Sequence, residues 1–289
     1  MRFFIDQQTR IIVYGIYSEV ARSVVLDNRN KGINIVGAIE AGEGGSWGSD
    51  GQIPVFDSLQ SASKAVSPEA AVICVPCQFG FTAIAESIQE GIKTIICFTD
   101  GIPLLDLSRA NSLLKTRNID FLGPASFGII TPGKLILGSK SFSSFRKGRV
   151  GVISRSHALA FETAQLLAEN GLGISTAIGL SKEGNLGVQL IDLLQRFDQD
   201  PETDSILLLG NARDFLEEKT STFIKDELSK PIVAYIQEHK NPVEEMNSYT
   251  GLNGSLPYLL DHTTITENNR AGIPLANNLL EIVDCLKKL

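Results

Sequence analysis

The sequence predicts an α/β protein with two domains, each built on a mostly parallel β-sheet. Short runs rich in β-branched residues alternate with segments of helical apolar periodicity along nearly the whole chain. Such alternation is typical of βαβ units, whose crossover connections join parallel strands. It is interrupted once, over residues 124–148, where prolines and glycines break any long element. The 289 residues are enough for two domains at roughly 150 residues per domain.

The first predicted domain covers residues 1–123. Its predicted strands are residues 10–14, 34–39, 70–75, 94–98 and 120–122, and its predicted helices are residues 19–28, 58–65, 79–90 and 105–115. Residues 42–51, which include several glycines, are predicted to form a loop. This order of elements indicates a Rossmann-like domain.

The second predicted domain covers residues 149–289, after the junction at residues 124–148. Its predicted strands are residues 150–153, 174–178, 205–209 and 231–235, and its predicted helices are residues 157–170, 186–197, 216–228 and 276–287. In the last helix the apolar side chains of Leu279, Ile282, Val283 and Leu286 recur at i, i+3 and i+4 spacing and form one face. The order indicates a flavodoxin-like, doubly wound domain.

Residues 149–162 are predicted to form a strand, a polar turn and a helix. The turn consists of Ser154, Arg155 and Ser156. A helix that begins at the end of a strand points its unpaired backbone N–H groups, and the positive end of its dipole, into the crevice above the sheet. Anions bind at such helix ends. We therefore expect these three residues to bind phosphate or another small anion.

Charge and hydropathy exclude two classes of partner. The net charge is -7 and the isoelectric point about 5.1, whereas binding to a nucleic acid backbone requires a basic face. No apolar run approaches the ~18 residues of a membrane span, and the opening residues lack the apolar stretch of a signal peptide. These patterns predict a cytoplasmic protein that binds neither nucleic acid nor membrane.

The cysteines are not expected to form a metal or disulfide site. Cys74 and Cys77 have the C-x-x-C spacing of redox and zinc sites, but no second pair and no histidine cluster accompanies them. Because Cys74 lies in a predicted strand, we expect it to be a buried thiol.

Many short motifs along the chain resemble one family, the α subunit of succinyl-CoA synthetase and other NDP-forming acyl-CoA synthetases. The resemblance spans nearly the whole chain without gross insertions. The motifs are Phe4-Ile5-Asp6, Val36-Gly37, Gly42-x-Gly44-Gly45, Pro54-Val55-Phe56, Val75-Pro76, Thr99-Asp100-Gly101-Ile102-Pro103, Gly123-Pro124, Gly128-x-Ile130-Thr131-Pro132-Gly133, Ser154-Arg155-Ser156 and Asp200-Pro201.

This resemblance implies an N-terminal Rossmann-like CoA-binding domain, a flavodoxin-like second domain and an ATP-grasp β-like partner subunit; a homo-oligomer is the alternative. In the family a phosphoryl group passes from nucleotide to a histidine and then to the acid, and CoA displaces phosphate from the acyl phosphate. Neutral imidazole suits this step because it is nucleophilic near neutral pH. The implied ligand is CoA or acyl-CoA, and the implied contacts are Gly15, Val75, Pro76, Thr99, Gly123 and Pro124.

The implied CoA site departs from the family pattern at three loops. The family's Gly-x-Thr-Gly-x-Gln-Gly loop corresponds to residues 15–21, where only Gly15 matches and where Tyr17 adds bulk and Glu19 a negative charge. The lysine of Pro-Gly-Lys-Gly-Gly is replaced by Glu43. The family's Gly-Pro-Asn-x-Pro-Gly loop has Ala125 in place of the asparagine. We therefore expect CoA binding to be weakened, although Glu19 is equally well interpreted as a solvated residue that stabilises the helix N-terminus.

The phosphohistidine chemistry is expected to be lost. The family's histidine motif is best matched by residues 251–255, which place Leu252 at the histidine position. Asn211 stands where the family has the glutamate that orients this histidine. Leucine has no lone pair, so nucleophile and orienting carboxylate are both missing. The sequence therefore predicts a degenerate homologue with a binding, structural or regulatory role.

An alternative hypothesis keeps the catalysis and moves the histidine. His157 follows the Ser154–Ser156 turn and is a candidate phosphoryl acceptor or anion ligand at the start of the helix. His262 is a second candidate for a relocated nucleophile, and His239 is expected to be solvated. On this hypothesis the chain is a divergent NDP-forming acyl-CoA synthetase subunit that acts on a different acid.

Overall fold

The computed structural model describes residues 4–29, 32–48, 51–138, 144–181, 186–210, 218–236 and 274–289. Two seven-stranded sheets form its framework, one from each half of the chain. Within the described residues, no helix is both long enough and apolar enough to cross a lipid bilayer.

The first sheet has the strand order β3-β4-β2-β1-β5-β6-β7. All neighbouring strands are parallel except β3 and β4. The strands are β1 (Ile11–Tyr14), β2 (Ile35–Ile39), β3 (Trp47–Gly48), β4 (Ile53–Phe56), β5 (Ala70–Ile73), β6 (Thr94–Cys97) and β7 (Asp120–Leu122), and the helices are α1 (Glu19–Arg29), α2 (Leu59–Val66), α3 (Cys77–Gln89) and α4 (Leu104–Leu114).

Strand β1 marks the point where the direction of winding reverses. The chain runs from β1 to β2 and β4 on one side, then crosses to β5, β6 and β7 on the other. In open α/β sheets, ligands bind beyond the carboxyl ends of the strands at such a switch point. The predicted Rossmann-like topology is confirmed, and it places a crevice between the ends of β1 and β5.

The predicted loop at residues 42–51 is wrong in part, because Trp47 and Gly48 form β3 and pair with β4. Strand β4 was not expected either. It has only four residues and includes Pro54, but Ile53 and Val55 alternate toward the core, as in a strand with one buried face. Proline is tolerated there because β4 lies near the edge of the sheet.

The second sheet has the order β14-β13-β12-β10-β11-β8-β9. The strands from β14 to β11 are parallel, whereas β8 is antiparallel to both β11 and β9. The strands are β8 (Gly128–Thr131), β9 (Leu135–Gly138), β10 (Lys147–Ser154), β11 (Ile174–Gly179), β12 (Ser205–Gly210), β13 (Ile232–Ile236) and β14 (Leu275–Ala276), and the helices are α5 (His157–Glu169), α6 (Leu190–Gln199), α7 (Glu218–Asp226) and α8 (Leu279–Lys287).

Two helices of the second half begin later than their periodicity predicts, because polar caps fix their first residues. The prediction began α6 at residue 186, but Gln189 is its N-cap, and the carboxylate of Asp192 accepts from the Gln189 N–H at 3.1 Å. The prediction began α8 at residue 276, but the side chain of Asn278 accepts from the Glu281 N–H at 2.9 Å. Ala276 instead belongs to β14.

The segment expected as a junction supplies two strands to the second sheet. Residues 128–138 form the hairpin of β8 and β9, and β8 pairs with β11. Helix α1 of the first half packs on β9, so one apolar cluster continues from the first sheet into the second. The side chain of Asn28, fully buried at the end of α1, accepts from the Ile136 N–H at 2.9 Å and donates to the Ile136 carbonyl.

Candidate functional site

The loop after β1 lies against the end of β5. Gly15 has a φ of +76°, and a Cβ there would be 2.7 Å from the Cys74 carbonyl oxygen, so the position admits glycine alone. Ser18 then starts α1, and its Oγ accepts from the Ala21 N–H at 3.1 Å. The backbone can therefore approach a ligand closely where the N-terminus of α1 meets the crevice.

The ends of β5, β6 and β7 complete this edge of the crevice. The Thr99 hydroxyl donates to the Val75 carbonyl at 2.8 Å and ties the segment after β6 to the one after β5, next to Pro76. A cis peptide bond joins Gly123 to Pro124 after β7. A Cβ at Gly123 would be 2.4 Å from the Cys97 carbonyl oxygen, at the end of β6.

The structure thus brings together the residues that the resemblance implied for CoA. Gly15, Val75, Pro76, Thr99, Gly123 and Pro124 all follow neighbouring parallel strands at one edge of the sheet. Their contact with a ligand stays a prediction.

Acidic side chains lie on the β2 and β4 side of the same crevice. Glu40 follows β2, and its carboxylate accepts a hydrogen bond from the backbone N–H of Ile16. Burial and the nearby charge of Glu43 raise the pKa of Glu40 above its ordinary value, against the opposing effect of that hydrogen bond. Asp57 follows β4, and its Oδ1 accepts from the N–H of Gly42 at 2.9 Å and of Gly44 at 3.0 Å.

Sequence reasoning missed Glu40 and Asp57 as crevice residues. The signal for Glu40 was its place directly after the second strand, where dinucleotide-binding domains carry an acid that binds ribose. Asp57 gave no comparable signal, because its partners Gly42 and Gly44 lie on another loop. Glu19 is exposed at the first position of α1.

At the carboxyl end of β10 the structure contains the predicted strand, turn and helix. The Ser154 hydroxyl donates to the Ser156 carbonyl at 2.9 Å and accepts from the Ser156 N–H at 3.0 Å, which holds the turn. The Ser156 hydroxyl caps α5 by accepting from the Leu159 N–H at 3.3 Å. Arg155 donates to the Ser181 carbonyl at 2.6 Å, just beyond β11. Anion binding at this turn stays a prediction.

His157 joins the start of α5 to the segment after the cis peptide bond. Its Nε2 lies 2.9 Å from the Ala125 carbonyl oxygen. Since a carbonyl can only accept, Nε2 carries the proton in this contact. The ring also meets Phe127 edge to face, with centroids 5.8 Å apart.

Ala125 therefore connects both candidate regions. Its N–H donates to the Thr99 carbonyl at 3.0 Å in the first crevice, while its carbonyl accepts from His157 at the start of α5. The segment after Pro124 is thus the physical link between the predicted CoA edge and the predicted anion turn.

Several predicted positions lie outside the described residues. They are Asn211, His239, Leu252 and His262. The motif positions of the family's histidine and glutamate thus remain sequence-based predictions.

The cysteines behave as separate groups. Cys74 is buried, as expected, and Cys97 is buried on the neighbouring strand β6, while Cys77 is exposed at the start of α3. Burial raises the pKa of the Cys97 thiol to about 12 and also raises the pKa of Cys74. Over the described ranges, no three side chains of His, Cys, Asp or Glu are grouped as metal ligands would be.

A cleft of about 590 Å³ opens elsewhere, between α6 and the segment that joins α4 to β7. The Asp120 carboxylate pairs with Arg196 at 3.0 Å on its wall. Because Asp120 is the first residue of β7, this cleft lies at the amino edge of the first sheet, away from the crevice. We therefore do not assign it to the candidate site.

The fold and the crevice together define a two-domain α/β protein of the nucleotide-binding type. Residues 6–101 match the CoA binding domain family, and residues 147–289 match the succinyl-CoA ligase like flavodoxin domain family. The chain is 31% identical to subunit alpha 1 of the ADP-forming succinate–CoA ligase of Archaeoglobus fulgidus, over 99% of this chain and 97% of that protein. It is 34% identical to the malate–CoA ligase subunit alpha of Methylorubrum extorquens, over 82% of this chain and 80% of that one.

The chain therefore belongs to the succinyl-CoA ligase α-subunit family. A solved ATP citrate lyase from Methanothrix soehngenii, in complex with citrate and coenzyme A, superposes with a TM-score of 0.78 at 18% identity. The match covers 99% of this chain and 51% of the lyase chain, so this chain spans about half the length of that enzyme. At this identity the likeness supports the fold alone.

Proposed function

We propose that this chain is a CoA-binding homologue of the CoA ligase α subunits that has lost phosphohistidine transfer and acts as a binding, structural or regulatory subunit. One structural observation carries the proposal: His157, the histidine that directly follows the predicted anion turn in the sequence, is engaged through Nε2 by the Ala125 carbonyl. Through this hydrogen bond the imidazole joins the start of α5 to the segment after Pro124.

The sequence supports the loss of chemistry independently. Leu252 stands at the family's histidine position and offers no lone pair to a phosphoryl group. Asn211 stands at the position of the orienting glutamate, and an amide cannot stabilise the imidazolium charge as a carboxylate does. A site that lacks both groups has neither the histidine nucleophile nor the carboxylate that orients it.

Two features support CoA or acyl-CoA as the ligand. The first domain matches the CoA binding domain family. The geometry fits as well, because the backbone at Gly15 can approach a diphosphate at the N-terminus of α1. The acidic groups Glu40 and Glu43, together with the sequence departures at Tyr17, Glu19 and Ala125, are the reason we propose that this site is weakened.

A partner subunit belongs to the same proposal. The relatives are named as subunit alpha of their ligases, so a β-like ATP-grasp chain is the partner we propose for this protein. A homo-oligomer is the alternative, and analytical ultracentrifugation with and without the β chain distinguishes the two.

A second candidate function is a divergent NDP-forming CoA ligase whose nucleophile has moved. The observation that favours it is the place of His157, directly after the Ser154–Ser156 turn at the head of α5. For Nε2 to attack a phosphoryl group it would have to exchange its hydrogen bond to Ala125 for the substrate. His262 is the other candidate nucleophile on this hypothesis.

The test is phosphorylation with labelled ATP in the presence of an ATP-grasp β subunit from the same organism. We expect no acid-labile, base-stable label on this chain, and we expect CoA at 100 times its dissociation constant to stabilise it by about 2.7 kcal/mol. The matched control carries Leu252→His together with Asn211→Glu, which restores both motif groups and should gain the label. Label mapped to His157 or His262 in the unaltered chain would establish the second function instead.

A further inference from the structure

The loops at the carboxyl edge of the first sheet carry charge of one sign. Between the end of each parallel strand and the first residue of the next element, the described charged side chains are all carboxylates. They are Glu19 after β1, Glu40 and Glu43 after β2, Asp57 after β4 and Asp100 after β6. An anionic ligand entering this crevice meets backbone N–H groups and a helix N-terminus, but no lysine or arginine from these segments.

Glu40 is the carboxylate best placed to meet a ligand. It follows β2, and the Ile16 N–H of the loop after β1 lies near its carboxylate, so it lies between the two loops where a nucleotide enters a fold of this type. The Glu43 N–H donates to the Glu40 backbone carbonyl at 3.2 Å, so a tight backbone turn brings the two residues into the same short loop. Burial raises the pKa of Glu40, and the charge of Glu43 in the same loop raises it further.

In the glycine loop at residues 42–45, a carboxylate of the protein itself already accepts from two backbone N–H groups. The Asp57 carboxylate accepts the N–H groups of Gly42 and Gly44, and it lies so close that a Cβ at Gly44 would be 2.1 Å from Asp57 Oδ2. Backbone N–H groups that converge from one loop otherwise offer donors to an anion. A ligand phosphate could use these donors only by displacing Asp57.

Whether the ribose of the ligand carries a hydroxyl or a phosphate decides which nucleotide can bind beside these carboxylates. In α/β nucleotide-binding domains an acid after the second strand accepts from ribose hydroxyls, whereas a phosphorylated ribose requires a basic residue there. The adenosine ribose of CoA carries a 3′-phosphate, and dephospho-CoA has a hydroxyl in its place. A hydroxyl can donate to Glu40 or Glu43, while a phosphate dianion would face both carboxylates.

We propose that the crevice discriminates against the 3′-phosphate of CoA and binds CoA-type nucleotides with an unphosphorylated ribose, such as dephospho-CoA, more tightly. The residues responsible are Glu40 and Glu43, with Asp57 blocking the backbone donors of the glycine loop. This inference rests on the proposed function, because it concerns the specificity of the same CoA site.

The test is isothermal titration of the full chain with CoA and with dephospho-CoA at low ionic strength. We expect dephospho-CoA to bind at least about tenfold more tightly, and added salt should narrow the difference because it screens the repulsion. Equal affinities, or tighter binding of CoA, would overturn the inference and leave the proposed function standing. If neither ligand binds, the CoA-binding part of the proposed function fails, and the inference fails with it.

Substitutions test whether Glu40 and Glu43 cause the discrimination between CoA and dephospho-CoA. The double variant Glu40→Gln/Glu43→Gln should bind CoA more tightly and bring the ratio of the two affinities toward one. The control is Glu90→Gln, which removes a single carboxylate charge from an exposed residue at the far end of α3, near the amino edge of the sheet. An unchanged affinity ratio in the double variant, or the same change of ratio in the control, would contradict the role of these two residues.

Discussion

Gly15 meets two separate requirements at the centre of the crevice. Its φ of +76° lies in the left-handed region, and a Cβ would be 2.7 Å from the Cys74 carbonyl oxygen. The first requirement concerns the residue's own backbone, while the second concerns the distance between the β1 loop and β5. Backbone atoms cannot move aside as a flexible side chain can, so the two contributions add.

We predict that Gly15→Ala destabilises the protein by about 2–4 kcal/mol, through the left-handed φ and the backbone clash together. Gly91→Ala is the matched control, because Gly91 has the same φ of +76° with nothing within 4 Å of the added Cβ. This control should lose only about 1 kcal/mol. Urea denaturation of both variants measures the difference, and equal losses would show that β5 yields to the clash.

For single residues, the sequence predicted their place in the sheet better than it predicted their hydrogen bonds. The order of strands and helices places Gly15, Thr99 and Gly123 at one edge of the sheet, because each follows a parallel strand. The bonds of Glu40 and Asp57 could not be predicted in the same way. Each joins two loops whose approach depends on the finished sheet, so no local pattern marks it.

Among the elements, the least predictable features were short strands and helix starts. Strands β3 and β4 have two and four residues, and the β8–β9 hairpin lies in a segment rich in proline and glycine, so neither shows a long period-two pattern. The long helices α1, α3 and α5 differ from the prediction by no more than a few residues. Their apolar periodicity extends over three turns and dominates any local ambiguity.

The start of α8 gives a prediction at the scale of the element. Asn278 caps this helix, whose buried residues Ile282, Val283 and Leu286 pack on the second sheet. Asn278→Ala should lower the free energy of unfolding by about 1 kcal/mol, because the Glu281 N–H loses its acceptor. Asn278→Ser keeps a capping oxygen and should lose much less. Thermal denaturation measures both, and a loss as large in the serine variant would assign the effect to packing.

Across the whole molecule, the two domains are joined by polar contacts as well as apolar ones. Asp120 and Arg196 pair across the interdomain cleft, and the Val188 N–H donates to the Phe121 carbonyl at 3.0 Å. Such contacts could not be predicted from the sequence. They join residues far apart in the chain, 76 positions in the case of Arg196 and Asp120, without a motif at either end.

The ionisation of Asp120 should make the domain contact sensitive to pH. Burial raises the pKa of Asp120, and the charge of Asp192 adds to this, while Arg196 opposes it. A carboxyl whose folded-state pKa is raised adds stability below its unfolded value, ~3.9, and loses that contribution as the pH rises through the folded value. The free energy of unfolding of the wild type minus that of Asp120→Asn should therefore fall with rising pH.

The measurement is urea denaturation of the wild type and of Asp120→Asn at a series of pH values. The difference between their free energies of unfolding isolates the contribution of the Asp120 carboxyl. Arg196→Met serves as the control, because removal of the opposing charge should move the transition to higher pH. If this difference in the free energy of unfolding instead rises with pH, the ion pair with Arg196 outweighs the effect of burial on the pKa of Asp120.

Asn28 makes the strongest prediction about how the two domains hold together. Its side chain is fully buried and bonds both the N–H and the carbonyl of Ile136, a residue 108 positions away in the β9 strand. Asn28→Ala leaves both backbone groups without these partners inside the interface, so we expect a loss of about 2–3 kcal/mol. The control is Asn34→Ala, whose exposed amide donates at 3.4 Å and should contribute no more than about 0.5 kcal/mol. Because Asn28 stabilises the packing of α1 on β9, its loss should also let the two domains unfold in two separate calorimetric transitions. One transition at a lower temperature would instead show that the apolar cluster alone keeps the domains cooperative.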